Sequence, residues 1–69
     1  MITQSLKENR KSRNLTQAQL AKATQIPQST ISAWEKGVNI PNVADCIKLA
    51  DFYEITLDEL VGRDKKKNW

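Results

Sequence analysis

Thr16-Gln-Ala-Gln-Leu-Ala-Lys-Ala-Thr-Gln-Ile-Pro-Gln-Ser-Thr-Ile-Ser-Ala-Trp-Glu-Lys-Gly37 is the stretch that decides the fold of this chain. Thr16 stands three residues before Gln19, the capping-box spacing in which each side chain satisfies an orphan backbone donor of a helix start. Leu20 and Ala21 give that helix an inward side, and Ile31 and Trp34 do the same one helix later. Ala21 is small enough to let two helices cross steeply and closely. Gln25 and Ile26 form the turn. Pro27 opens the next helix where its missing N–H costs nothing, and Gly37 stops it. The outward positions of this second helix are then Gln28, Ser29, Ser32 and Ala33, none of them charged.

The same signals recur along the rest of the chain. A helix over about Thr3 to Ser12 turns Ile2 and Leu6 inward, and Asn14 ends it by tolerating left-handed backbone. Asn42 caps a fourth helix with Asp45 at its third position. Its inward stripe reads as Val43, Cys46, Ile47 and Ala50, flanked by Leu49 and Tyr53. Thr56 and Glu59 make another capping box for a short fifth helix that buries Leu57, Leu60 and Val61 before Gly62. No segment alternates as a strand does. The expected fold is all-α, a compact bundle of five helices over residues 1–62, followed by a basic tail over 63–69 that ends in Trp69.

Composition narrows the function. A chain of 69 residues makes one domain, near the lower limit for a useful core without disulfides or metal. It has no His and one Cys, Cys46. Zinc sites and most nucleophile–base pairs therefore fall away, and an enzyme is not expected. A lone cysteine suits a reducing cytoplasm. No apolar run is long enough for a membrane span, so no membrane partner is expected, and no metal or cofactor. Net charge is +3, from 11 basic and 8 acidic residues. The front carries Lys7, Arg10, Lys11 and Arg13, whereas residues 41–62 carry Asp45, Asp51, Glu54, Asp58 and Glu59 against Lys48. A basic front and an acidic back orient a protein on a polyanion.

Leu15-Thr16-Gln17, Leu20-Ala21, Gln28-Ser29-Thr30-Ile31-Ser32, Trp34-Glu35-Lys36-Gly37, Pro41 and Leu57-Asp58-Glu59-Leu60 together resemble the Cro/C1, or Xre-type, helix-turn-helix proteins, which include the lambda and 434 phage repressors. The likeness runs from Ile2 to Gly62. It implies a lambda-repressor-like DNA-binding domain acting as a sequence-specific transcriptional regulator, with residues 27–36 as the recognition helix in the major groove of double-stranded DNA. The family's base-reading positions fall on Gln28, Ser29, Ser32 and Ala33. Gln28 offers both amide groups to adenine N6 and N7, and Ala33 offers a methyl to thymine. Gln17 falls where these repressors clamp the DNA backbone; Lys36 and Asn39, in the stretch leaving the recognition helix, read as phosphate contacts, and Thr30 reads either as another or as a plain helix-surface residue. Arg10 and Glu35 match a structural ion pair that fixes the recognition helix. Two departures stand out: Gln25 replaces the usual Gly of the turn, and Pro27 replaces a Ser or Thr cap.

One copy reads few bases, so the resemblance implies a homodimer, at least on DNA, with half-sites about 34–36 Å apart. Ile55, Leu57, Leu60 and Val61 are the candidate dimer contacts, and they also read as core of a single copy. An antitoxin or a restriction–modification controller using the same fold stays open. So does a protein-interaction module with reduced DNA binding.

Overall fold

A computed structural model describes residues 2–62, which form α1 (Ile2–Lys11), α2 (Gln17–Thr24), α3 (Gln28–Lys36), α4 (Val43–Tyr53) and α5 (Leu57–Val61). There is no strand among the described residues. The basic tail, with Trp69, lies outside them.

Four of these helices start with one local device. The position just before the cap and the fourth helical position are both apolar and at least half-buried: Leu15 with Leu20, Ile26 with Ile31, Pro41 with Cys46, and Ile55 with Leu60. That spacing is the hydrophobic staple, which sets the angle at which the chain enters a helix. The polar half of the device sits between the staples. Thr16 Oγ1 accepts from Gln19 N at 3.0 Å while Gln19 Oε1 accepts from Thr16 N at 2.8 Å. Thr56 and Glu59 repeat the reciprocal pair, both bonds at 3.0 Å. Asn42 Oδ1 accepts from Asp45 N at 2.8 Å. Pro27 is the cap of α3 rather than its first helical residue. It has no side-chain acceptor, and its carbonyl takes Thr30 N and Ile31 N instead.

Helix ends use left-handed backbone. Gly37 and Gly62 adopt it at φ +79°, and Asn14, Gln25 and Glu54 adopt it at φ +59° to +62°. For Gln25 and Glu54 the Cβ clash in this region costs about 1–2 kcal/mol. Bonds that close the last turn offset part of it, Gln25 N to Ala21 O at 2.7 Å and Ile55 N to Ala50 O at 3.0 Å. The turn between α2 and α3 therefore keeps its shape with a glutamine where a glycine is easiest.

The core gathers Leu6, Leu20, Ile26, Ile31, Trp34, Leu49, Ala50, Tyr53 and Leu60, with Ile2, Leu15, Ala21, Cys46 and Ile55 packed around it. Ser5 Oγ donates to Leu60 O at 2.8 Å and ties α5 to α1. Two expectations are corrected here. On α4 the buried side is Leu49, Ala50 and Tyr53, with Cys46 half-buried. Val43 is 70% exposed and Ile47 46% exposed. The helical template i, i+3, i+4, i+7 fits 46/49/50/53 as well as 43/46/47/50, and the bundle uses the former. On α5, Leu57 faces solvent and Val61 is half-buried, so Leu60 alone is fully inside.

Candidate nucleic-acid interface

α3 is anchored by one side and open on the other. Ile31 and Trp34 are buried, each worth roughly 2–3 kcal/mol of removed apolar surface. Gln28 and Ser29 are exposed, and Ser32, Ala33 and Thr30 are half-buried. Helical geometry places positions 28, 29, 32 and 33 on one face because residues three and four apart are neighbours. Lys36 and Asn39 are exposed where the chain leaves α3.

A polar cluster fixes the orientation of that face. Arg10 Nε donates to Glu35 Oε2 at 2.8 Å, and Arg10 Nη2 donates to Glu35 Oε1 at 2.9 Å, a two-pronged pair between α1 and α3. Arg10 Nη1 donates to Leu15 O at the entry to α2. Gln17 Nε2, in the first turn of α2, donates to Glu35 Oε1 at 3.0 Å. One carboxylate thus joins three helices, and the side chains of the pair are only 9% and 5% exposed. Burial by itself would raise the Glu35 pKa. Hydrogen bonds from Arg10 and Gln17 and the charges of Arg10 and Lys7 outweigh it, so the carboxyl titrates below its ordinary range. The hydrogen bond to Glu35 likewise raises the pKa of Arg10.

The cluster backs an open groove lined by Arg10, Lys11, Asn14, Leu15, Thr16, Gln17, Ala18 and Gln28. Gln17 and Gln28 therefore share one surface, at the N-terminal ends of α2 and α3. Lys11 and Asn14 share it too. Sequence reading gave Lys11 only to the general basic field and Asn14 only to a helix stop. Their spacing from the motif held no signal, because the close of α1 brings them there. Leu60 belongs to no surface at all: at 0% exposure it cannot touch a second copy. Ile55 and Val61 are half-buried, and Leu57 remains exposed.

No group of three or more His, Cys, Asp or Glu converges among the described residues. Burial, with the charge of Asp45 added, pushes the Cys46 thiol up in pKa, away from the thiolate. No described helix is long and apolar enough to cross a membrane.

Residues 6–60 match the helix-turn-helix family, from within α1 to within α5. The chain belongs to this Cro/C1-type, or Xre-type, family. Among its helix-turn-helix relatives is the cryptic phage CTXphi transcriptional repressor RstR of Vibrio cholerae, 39% identical over 62 residues, which are 90% of this chain and 55% of RstR. The transcriptional activator BcrR of Enterococcus faecalis is 34% identical over 64 residues, 93% of this chain and 31% of BcrR. The regulator AnsR of Bacillus subtilis is 37% identical over 62 residues, 90% of this chain and 53% of AnsR. The chain thus spans between about a third and just over half of these relatives. A transcriptional regulator from Listeria innocua shares the fold with a TM-score of 0.81 at 25% identity, covering 100% of this chain and 64% of that one.

Proposed function

We propose that this helix-turn-helix protein is a sequence-specific double-stranded DNA-binding transcriptional regulator of the phage-repressor type. The observation that carries the reading is the exposed, uncharged start of α3, Gln28 and Ser29, with Gln28 in one groove beside Gln17 at the start of α2 and Lys11 at the end of α1. α3 lies in the major groove. Gln28 reads adenine through a bidentate amide contact, Ser29 and Ser32 make single hydrogen bonds to base edges, and Ala33 meets a thymine methyl. The face holds no Arg, so guanine is poorly read and the preferred operator is A·T-rich at its contacted positions.

Gln17, Thr30, Lys36 and Asn39 hold phosphates and set the register, and Lys11 joins them. Gln17 spends one amide N–H on Glu35. Its second N–H remains to donate to a phosphate oxygen, next to the free backbone donors of the α2 N-terminus. Glu35 in this reading braces the phosphate contact and the recognition helix together. Two copies bind adjacent half-sites in the cytoplasm, with Leu57 and the rims of Ile55 and Val61 available for contact. No cofactor takes part. RstR is described as a repressor and BcrR as an activator. The likeness to RstR favours repression here.

A gel shift with fragmented genomic DNA across a salt series tests the proposal. Selective retention of a few fragments is expected, with log affinity falling by about 0.9 per neutralised phosphate for each unit of log salt. Uniform retention of all fragments would remove sequence specificity. No retention even at low salt would favour a protein-binding module, for which exposed Val38, Ile40, Val43 and Ile47 offer apolar surface.

A further inference from the structure

Behind the Arg10–Glu35 pair lies a small, largely enclosed cavity lined by Leu6, Leu20, Ile31, Trp34, Glu35, Leu49 and Tyr53. Its free volume of about 10 Å³ is close to the least that holds one water molecule. Most of the lining is aliphatic or aromatic, and two residues bring oxygen. Tyr53 is 6% exposed, and its hydroxyl is the one buried side-chain oxygen or nitrogen without a hydrogen-bond partner among the described residues. The Arg13 guanidinium sits over the tyrosine ring, 4.3 Å from the centroid, and the Phe52 ring packs 5.3 Å away on the other contact. Glu35, which also lines the cavity, has acceptor capacity left. Oε1 takes two N–H groups, from Arg10 and Gln17, but Oε2 takes only Arg10 Nε.

We propose that this cavity is a binding site for a single structural water, which accepts from Tyr53 Oη–H and donates to Glu35 Oε2. The water removes the desolvation cost of an orphan hydroxyl. It also makes Tyr53 a positioning residue. Glu35 already joins α1, α2 and α3, and the bridge adds α4 to the same carboxylate. The orientation of the recognition helix then depends on a tyrosine that is nowhere near its exposed face. Burial raises the Tyr53 pKa, and the charge of Glu35 acts in the same direction against Arg13 and Arg10, which agrees with a carboxylate and a phenol near each other in a sheltered space. The inference does not depend on the DNA-binding reading and stands or falls without DNA.

The test pairs the wild type with Tyr53→Phe, which keeps the ring and removes the hydroxyl. Long-lived waters are counted by oxygen-17 relaxation dispersion, and both proteins are crystallised at a resolution that places ordered water. The wild type is expected to show one water within hydrogen-bond distance of both Tyr53 Oη and Glu35 Oε2, and Tyr53→Phe one long-lived water fewer. The carbon-13 titration of Glu35 supplies the positioning readout, and its midpoint moves up in Tyr53→Phe because a donor to the carboxylate is gone. A wild-type cavity with no water would overturn the proposal. So would a water that persists unchanged in Tyr53→Phe, or a Glu35 midpoint that does not move.

Discussion

α3 and α4 are near neighbours in length and both begin beside a proline, yet they meet the bundle in opposite ways. α3 has two large apolar side chains, Ile31 and Trp34, and both are buried, so its remaining face is polar and open. α4 has apolar residues around most of its circumference. Leu49, Ala50 and Tyr53 go in, while Val43, Ile47 and Phe52 stay out. A helix with one narrow apolar stripe can be oriented from its own sequence. One with a broad stripe is oriented by its neighbours. Here α4 packs on α5 and α2, and Val43 in its first turn is left exposed.

The largest effect that can break this contrast lies at Glu35. Glu35→Ala leaves the Arg10 guanidinium buried without its partner, which costs about 3–5 kcal/mol. For a domain of this size that lowers Tm by more than about 10 °C, read by thermal melting followed by circular dichroism. The same group sets an acid limit. The folded Glu35 pKa lies below the 4.5 of an unperturbed carboxyl, so its contribution is present above pH 4.5 and is lost as pH falls through the folded value. The acid unfolding of the wild type should therefore contain a component that Glu35→Ala lacks. A melting curve unchanged by the substitution would mean that α3 is held by its apolar side alone.

Next in size is the choice of face on α4. Leu49→Ala empties a fully buried site and costs about 2–5 kcal/mol. Ile47→Ala removes a half-exposed side chain and costs less than about 1 kcal/mol by area lost. Denaturant unfolding of the two variants separates them. Equal losses would restore the inward stripe through Ile47 that its spacing suggests.

The smallest effect concerns the stops. Gln25→Gly at φ +62° relieves the left-handed strain and raises stability by about 0.5–1 kcal/mol, because the added chain entropy of glycine offsets part of the relief. A loss of stability would show that the Gln25 side chain contributes more than its backbone costs.

These contrasts also mark what the sequence can tell. The starts of α2, α4 and α5 were legible because their chemistry is local: a cap and its partner three residues on, at Thr16, Asn42 and Thr56, lie within four positions. The positive φ at Asn14, Gly37 and Gly62 was legible for the same reason. Glu54 was not, since glutamate has no local preference for left-handed backbone, and the end of α4 there follows from the packing of Ile55. The burial of Leu49 and Tyr53 in place of Val43 and Ile47 depends on contacts with residues far along the chain. So does the arrival of Lys11 and Asn14 beside Gln17 and Gln28. Gln17 itself shows both sides. Its place at the first turn of α2 was readable from the cap, whereas its bond to Glu35 at 3.0 Å spans 18 residues and belongs to the tertiary fold.

The most direct test of the exposed face of α3 is the affinity of Gln28→Ala for a genomic fragment that the wild type retains selectively and for random DNA, measured side by side at one salt concentration. With Gln28 reading adenine as proposed, the substitution is expected to weaken operator binding by at least about fivefold per half-site, some 1–3 kcal/mol, and to leave random-sequence binding unchanged. Equal losses on both DNAs would contradict the account, because Gln28 would then be holding the backbone and the sequence would be read elsewhere.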